Sequence, residues 1–166
     1  MRALIIGLAA VLSLAASAQQ PAPGGAPAAA SRTMVTAADV TALIAQAKAE
    51  RKDNQPILAQ PLIQLAPYNV SLEYRASVGN AAVHETEAEL FYVIDGSATL
   101  VTGGKLADEK RTNAENLTGT GIEGGSARHV AKGDFVMVPE RTPHWFSKID
   151  GTVVLMSLHL PHKPAQ

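Results

Sequence analysis

The hydrophobic period changes once along this chain, near Pro56. Before it, Val40, Leu43, Ile44 and Ala47 recur at spacings of three and four. This is one apolar stripe of a helix spanning 36–51. Thr36 is a suitable N-cap with Asp39 three residues later, and Lys48, Arg51 and Lys52 suit the C-terminal end of the helix dipole. A single stripe predicts a helix laid on the outside of a sheet. After Pro56 the period is two: Val70, Leu72 and Tyr74 alternate with Ser71, Glu73 and Arg75. Residues 62–65, 90–94, 98–101, 135–138, 145–147 and 153–160 read as further short strands. Asp95-Gly96-Ser97 reads as a turn, and Thr102-Gly103-Gly104 as a break. The polar, glycine-rich stretch 104–128 exceeds what a hairpin needs and is expected to be a loop excursion, covering a barrel mouth or decorating the surface. Its glycines do not follow the spacing of a dinucleotide-binding turn. Many short strands with glycine and proline turns predict an all-β sandwich or barrel.

The N-terminal region belongs to neither pattern. Arg2, the apolar run 3–15 and the small residues Ala16-Ser17-Ala18 form a secretory signal peptide over 1–18. The run is too short for a comfortable membrane span. Three prolines and two glycines between Gln19 and Ser31 give a flexible spacer, set at 19–34, ahead of a single domain at 35–166. The expected product is exported, periplasmic or secreted, with no membrane partner after cleavage. Net charge over the 166 residues is −1, which offers nothing to a polyanion and argues against nucleic acid as a partner. The chain has no cysteine. It therefore has no disulfide, and any metal must be held by imidazole and carboxylate, a donor set suited to Mn, Fe, Ni, Cu or Zn. Without cysteine or a G-x-S-x-G elbow, hydrolase-type nucleophilic catalysis has no carrier.

The candidate chemistry lies in V-H-E-T-E-A-E-L-F-Y-V-I-D-G (83–96) and G-D-F-V-M-V-P-E-R-T-P-H-W-F (133–146). His84 and Glu89 are five apart, so on one continuous strand they would point to opposite faces. A tight turn at 85–88 between two antiparallel strands brings them together. His144 follows Thr142-Pro143, and Pro139 and Pro143 stiffen the loop that starts its strand. His84, Glu89 and His144 then form a two-histidine, one-carboxylate set for one divalent ion with open coordination positions. Glu85 and Glu87 are expected to face water on the turn, Glu85 being a candidate replacement ligand. His159 alternates with Leu158 and Leu160; it is either a surface residue near a strand end, the favoured reading, or an inward acid/base or fourth ligand. Tyr74, Phe91, Tyr92 and Trp145 read as core or interface aromatics, with Tyr74 a candidate to line the site. His129 and His162 read as exposed.

These two stretches resemble the paired motifs of the cupin superfamily. The first family motif is G-x5-H-x-H-x3-4-E-x6-G. Here Glu89 and Gly96 match, His84 holds the place of the second histidine, and Ala82 stands in the place of the first. The second motif is G-x5-P-x-G-x2-H-x3-N. Gly133, Pro139 and His144 match, whereas Arg141 replaces the glycine and Lys148 the asparagine. The resemblance covers about residues 60–160. It implies a cupin-type β-barrel (jelly roll, double-stranded β-helix) with the helix packed outside. It also implies a bound divalent metal and a small-molecule ligand. The corresponding activities are those of a metal-dependent isomerase or lyase, or a dioxygenase, on a small oxygen-rich molecule; the alternative is a non-catalytic cupin that binds a sugar or carboxylate, its metal site weakened by Ala82. A homodimer is expected too, since both parities of 90–94 are apolar, as in a strand covered on two sides.

Overall fold

The computed structural model describes residues 31–162. The signal-peptide reading at 1–18 and most of the spacer lie outside the described residues. Arg32 already pairs with Gln64 through two backbone hydrogen bonds (3.0 and 2.9 Å), so the folded part begins slightly before the expected boundary at residue 35.

Helix α1 (Ala37–Glu50) starts at the Thr36 cap. The capping box is complete: Asp39 N donates to Thr36 Oγ1 at 3.2 Å, and Thr36 N donates to Asp39 Oδ2 at 2.9 Å. Its stripe of Val40, Leu43, Ile44 and Ala47 packs on Leu62, Val70, Leu72, Tyr74 and Val154. The helix thus covers the outer face of a sheet, as its periodicity requires.

The strands are β1 (Ile57–Leu65), β2 (Tyr68–Arg75), β3 (Ala81–His84), β4 (Glu87–Thr102), β5 (Lys105–Ala107), β6 (Lys110–Arg111), β7 (Asn116–Gly119), β8 (Gly121–Glu123), β9 (Ser126–Ala131), β10 (Phe135–Val138) and β11 (His144–Pro161). Nine of them form one antiparallel sheet and β5–β8 form a separate pair. The long strands β4 and β11 pair along almost their whole length, interrupted by register shifts at Phe146/Lys148, Ile149/Val153 and Val154/Leu155. Around this pair the sheet folds over itself. β2 and β3 add to β11, and β9 and β10 add to β4.

Alternation sorts each strand between two cores. The outer core, under α1, takes Val70, Leu72, Tyr74 and Val154. The inner core takes Phe91, Val93, Leu100, Val130, Val138, Phe146, Val153 and Leu155.

Three sequence expectations are corrected. Gly96 is not a turn between two strands but a bend within β4. It sits at φ +80°, and a Cβ there would collide with the Thr152 carbonyl, so glycine lets β4 and β11 stay paired through the bend. The stretch 104–128 is not a free loop. It holds β5 to β8 and the start of β9, and β7 is the neighbour of β3 (Val83↔Leu117, His84↔Asn116). Finally, β3 and β4 are not a hairpin. Glu85 and Thr86 form only a bend, and the two strands run to different partners, β3 to β7 and β11, β4 to β9, β10 and β11.

Candidate metal centre

The site follows from strand parity. On β4, Glu87 and Glu89 share the inward face with Phe91 and Val93. On β11 the inward positions are Val153, Leu155, Ser157 and His159. Register places His159 directly opposite Glu89, and His144 opposite Ala82. The bend at Glu85–Thr86 lets His84, at the end of β3, reach the same point from a third strand. Four side chains therefore converge where the inner core ends.

Glu89 is the hub, at 3% exposure. Its Oε2 lies 3.3 Å from His84 Nε2 and 3.1 Å from His144 Nε2, and its Oε1 lies 3.4 Å from His159 Nε2. Ser157 Oγ donates to Oε1 at 2.5 Å. The ligand atoms of His84, Glu89 and His159 lie within 4.8 Å of one another. His144 stands outside that tightest trio but shares Oε2 with His84.

Each ring is oriented by an acceptor at its other nitrogen. His84 Nδ1 meets Asn116 Oδ1 at 2.6 Å, His144 Nδ1 meets the Thr142 carbonyl at 3.2 Å, and His159 Nδ1 meets Glu87 Oε2 at 2.9 Å. An acceptor at every Nδ1 fixes the neutral tautomer as Nδ1–H and turns all three Nε2 lone pairs toward Glu89. In that tautomer Oε2 is buried without a hydrogen-bond donor. Three lone pairs and a carboxylate facing one another repel unless positive charge sits among them. A divalent cation meets that need, and protons on Nε2 meet it in part. The donor set, three imidazoles and one carboxylate with outer partners on every ring, fits a metal ion.

Without a cation, protons on Nε2 supply the positive charge. Burial would push the Glu89 carboxyl up, yet in that protonated state hydrogen bonds from His144 and His84, with the imidazole charges, hold it well below the usual carboxylate range. Burial works against a charge on His84 as well, but Glu89 and Asn116 raise it above its ordinary value.

The three residues expected to form the site, His84, Glu89 and His144, are brought together. His159 joins them, against the favoured surface reading: it is 18% exposed and points inward. Two other candidates are elsewhere. Tyr74 lies in the outer core under α1, because its parity on β2 is the opposite one. Glu85 is held by Arg111 at 2.6 and 3.1 Å, away from the hub. His129 and His162 are exposed, as expected. Sequence reading missed Asn116, Ser157, and Glu87 as the partner of His159. It also missed Glu73 and Arg75, which the parity of β2 turns inward. The signal available for Ser157 and His159 was their shared parity with Val153 and Leu155.

Beside the hub is a cavity of about 200 Å³, lined by the four converging residues together with Glu73, Arg75, Asn80, Ala82, Trp145 and Phe146. Its size admits roughly six or seven waters' worth of ligand. Ala82 leaves room where the first motif histidine would project, and β11 supplies the third imidazole instead. Trp145 Nε1 donates to the Gly79 carbonyl at 2.9 Å, which fixes that wall.

Comparison with solved structures finds likenesses of fold. A cupin superfamily protein from Desulfitobacterium hafniense is 17% identical over 68% of this chain and 84% of that one, with a TM-score of 0.47. BH2720 from Bacillus halodurans is 13% identical over 81% of this chain and 86% of its own, with a TM-score of 0.51. TT1209 from Thermus thermophilus is 14% identical over 71% and 95%, with a TM-score of 0.50. At these identities the likeness is one of fold. No family model matches the sequence, and no curated protein does. The chain is thus a small single-domain protein with the cupin fold and a His/Glu group able to hold a metal ion.

Proposed function

We propose that this chain is an exported, metal-dependent cupin enzyme, with one divalent ion held by His84, Glu89, His144 and His159, that acts on a small oxygen-rich molecule. The observation that carries the reading is the alignment of three Nε2 atoms on one buried carboxylate whose Oε2 has no donor. Four protein ligands leave about two positions of a six-coordinate ion, which favours Mn, Fe or Ni over a closed structural zinc site. When bound, the ion supplies Lewis-acid polarisation of a substrate oxygen or, as iron, dioxygen activation. The chain's own residues do the rest. Ser157 holds Glu89 Oε1 in place, and Asn116, Glu87 and the Thr142 carbonyl keep the Nε2 lone pairs forward. Trp145 and Phe146 wall the cavity, and its size limits the substrate to a small molecule.

A second reading is ligand binding without turnover. One observation favours it: among the residues lining the cavity, the carboxylate outside the metal set, Glu73, is tied to Arg75 and is not free to move protons. Elemental analysis of purified protein tests the first step. About one transition-metal ion per chain is expected, lost in Glu89→Gln; a metal-free chain that takes up none on titration overturns the reading. Iron with oxygen uptake would then mark an oxygenase, and a redox-silent ion with substrate isomerisation or cleavage the Lewis-acid class. Tight binding of small acids or sugars with no product would mark the second reading.

We also propose export and a homodimer. Phe135 (67% exposed) and Met137 (52%) stand on β10, with Tyr92 stacked on Phe135 at 4.5 Å, an apolar face fit for a second copy. Light scattering at micromolar concentration is expected to give twice the chain mass. Expression of the full chain is expected to yield an exported product beginning at Gln19, read by N-terminal mass.

A further inference from the structure

Glu73 and Arg75 raise a question that the metal reading leaves open. Both face the cavity beside the hub and both are largely buried. Arg75 gives Nε (2.8 Å) and Nη2 (2.6 Å) to the same oxygen, Glu73 Oε2. Its Nη1 and the other Glu73 oxygen make no side-chain hydrogen bond to protein among the described residues. The guanidinium is held over the Phe146 ring, 4.5 Å from its centroid.

A structural staple is a poor account of this pair. The two residues lie two apart on one strand, β2, so their ion pair ties no element to another. Burying two charges opposes folding unless their surroundings use them. The neighbouring inward positions of the inner core are apolar, and an apolar pair would have continued it. What the pair does provide is a preoriented, stacked guanidinium with an unused donor edge, and an unused acceptor oxygen, on two residues that line a cavity shared with the metal ligands.

Building on the proposed metal site, we infer that Arg75 and Glu73 are the recognition pair for the far end of the substrate, and that the substrate is a small hydroxy-acid with a second carboxylate. One end offers a hydroxyl and carboxylate to the metal. The other places a carboxylate on the free edge of Arg75, which Glu73 holds in position through Nε and Nη2. The cavity's size fits a chain of a few carbons.

The test compares probes that share one chelating end. Lactate carries that end alone; 2-hydroxysuccinate and 2-hydroxyglutarate add a second carboxylate at two reaches. Calorimetry on manganese-loaded protein is expected to show one of the diacids binding roughly tenfold or more tighter than lactate. Arg75→Gln, or the neutral pair Glu73→Gln with Arg75→Gln if the single change does not fold, is expected to erase that difference. Lactate affinity and metal content should stay as they were. Equal binding of lactate and both diacids by the unaltered protein, or a diacid preference that survives the substitutions, would overturn the inference. So would an equal loss for lactate and diacid, since that marks a structural pair. Failure to take up manganese would instead remove the metal reading. The same comparison on metal-free protein then decides Arg75 alone, a diacid preference erased by the substitutions supporting it and no preference refuting it.

Discussion

The inner face of the folded sheet has two ends, and they differ sharply. At one end Leu100, Val130, Val138 and Phe146 pack together and are almost fully buried. At the other, β4 and β11 carry Glu89, Ser157 and His159 inward, and β3 and β11 add His84 and His144. The backbone rule is identical at both ends. What changes is that the filled end satisfies itself by packing, whereas the polar end is satisfied only by charge from elsewhere. Packing and chemistry thereby occupy different stretches of one inner face.

The largest effect should come from breaking the filled end. Leu100→Ala is expected to reduce stability by about 2–5 kcal/mol, read by denaturant unfolding. Metal bound per folded chain should not change; a parallel loss of metal would mean that the two ends are not independent. His159→Ala attacks the other end. Metal affinity, measured by competition with a chromophoric chelator, is expected to fall by more than the roughly 100-fold upper range for an outer partner, with the metal-free fold intact. Unchanged affinity would shrink the ligand set to His84, Glu89 and His144. Asn116→Ala and Glu87→Gln remove only the acceptors that orient rings, and a loss of about 10–100-fold in metal affinity is expected in the same assay.

A subtler contrast lies in pH. In metal-free protein His84 has a raised folded pKa, so its contribution is fully present below the ordinary value of 6.5 and is lost as pH rises through the higher folded value. Glu89 is depressed, so its contribution is present above the ordinary 4.5 and is lost as pH falls toward the low folded value. Thermal melts of metal-free protein should therefore peak in the mildly acidic range between these two values. Metal-loaded protein should lose that peak, and metal affinity should rise with pH as protons leave the imidazoles. A metal-free stability curve that is flat across this range would contradict the shared charge at the hub.

Much of this was legible in the residues. The helix and its Thr36–Asp39 cap follow from local spacing, and local rules hold where one stripe meets one surface. The spacing of His84, Glu89 and Gly96, and of Gly133, Pro139 and His144, pointed to the site because motif spacing encodes strand ends. His159 was left ambiguous because the parity of a lone strand does not say which of its faces looks inward. Ser157 and His159 needed the register with Glu89, which is a long-range fact. Tyr74 was misplaced for the same reason: alternation on β2 was right, but its apolar side faces the helix, leaving Glu73 and Arg75 inside. The stretch 104–128 read as loop because strands of two to four residues between glycines carry little periodic signal. Asp95-Gly96-Ser97 read as a turn because a bend inside a long strand uses the same residues.

X-ray absorption spectroscopy of the metal-loaded protein tests the central claim most directly, because it counts the imidazoles around the ion. Three histidine nitrogens and one carboxylate are expected, falling to two nitrogens in His159→Ala. Two or fewer imidazoles in the unaltered protein, or an ion coordinated by water alone, would contradict a centre assembled on Glu89.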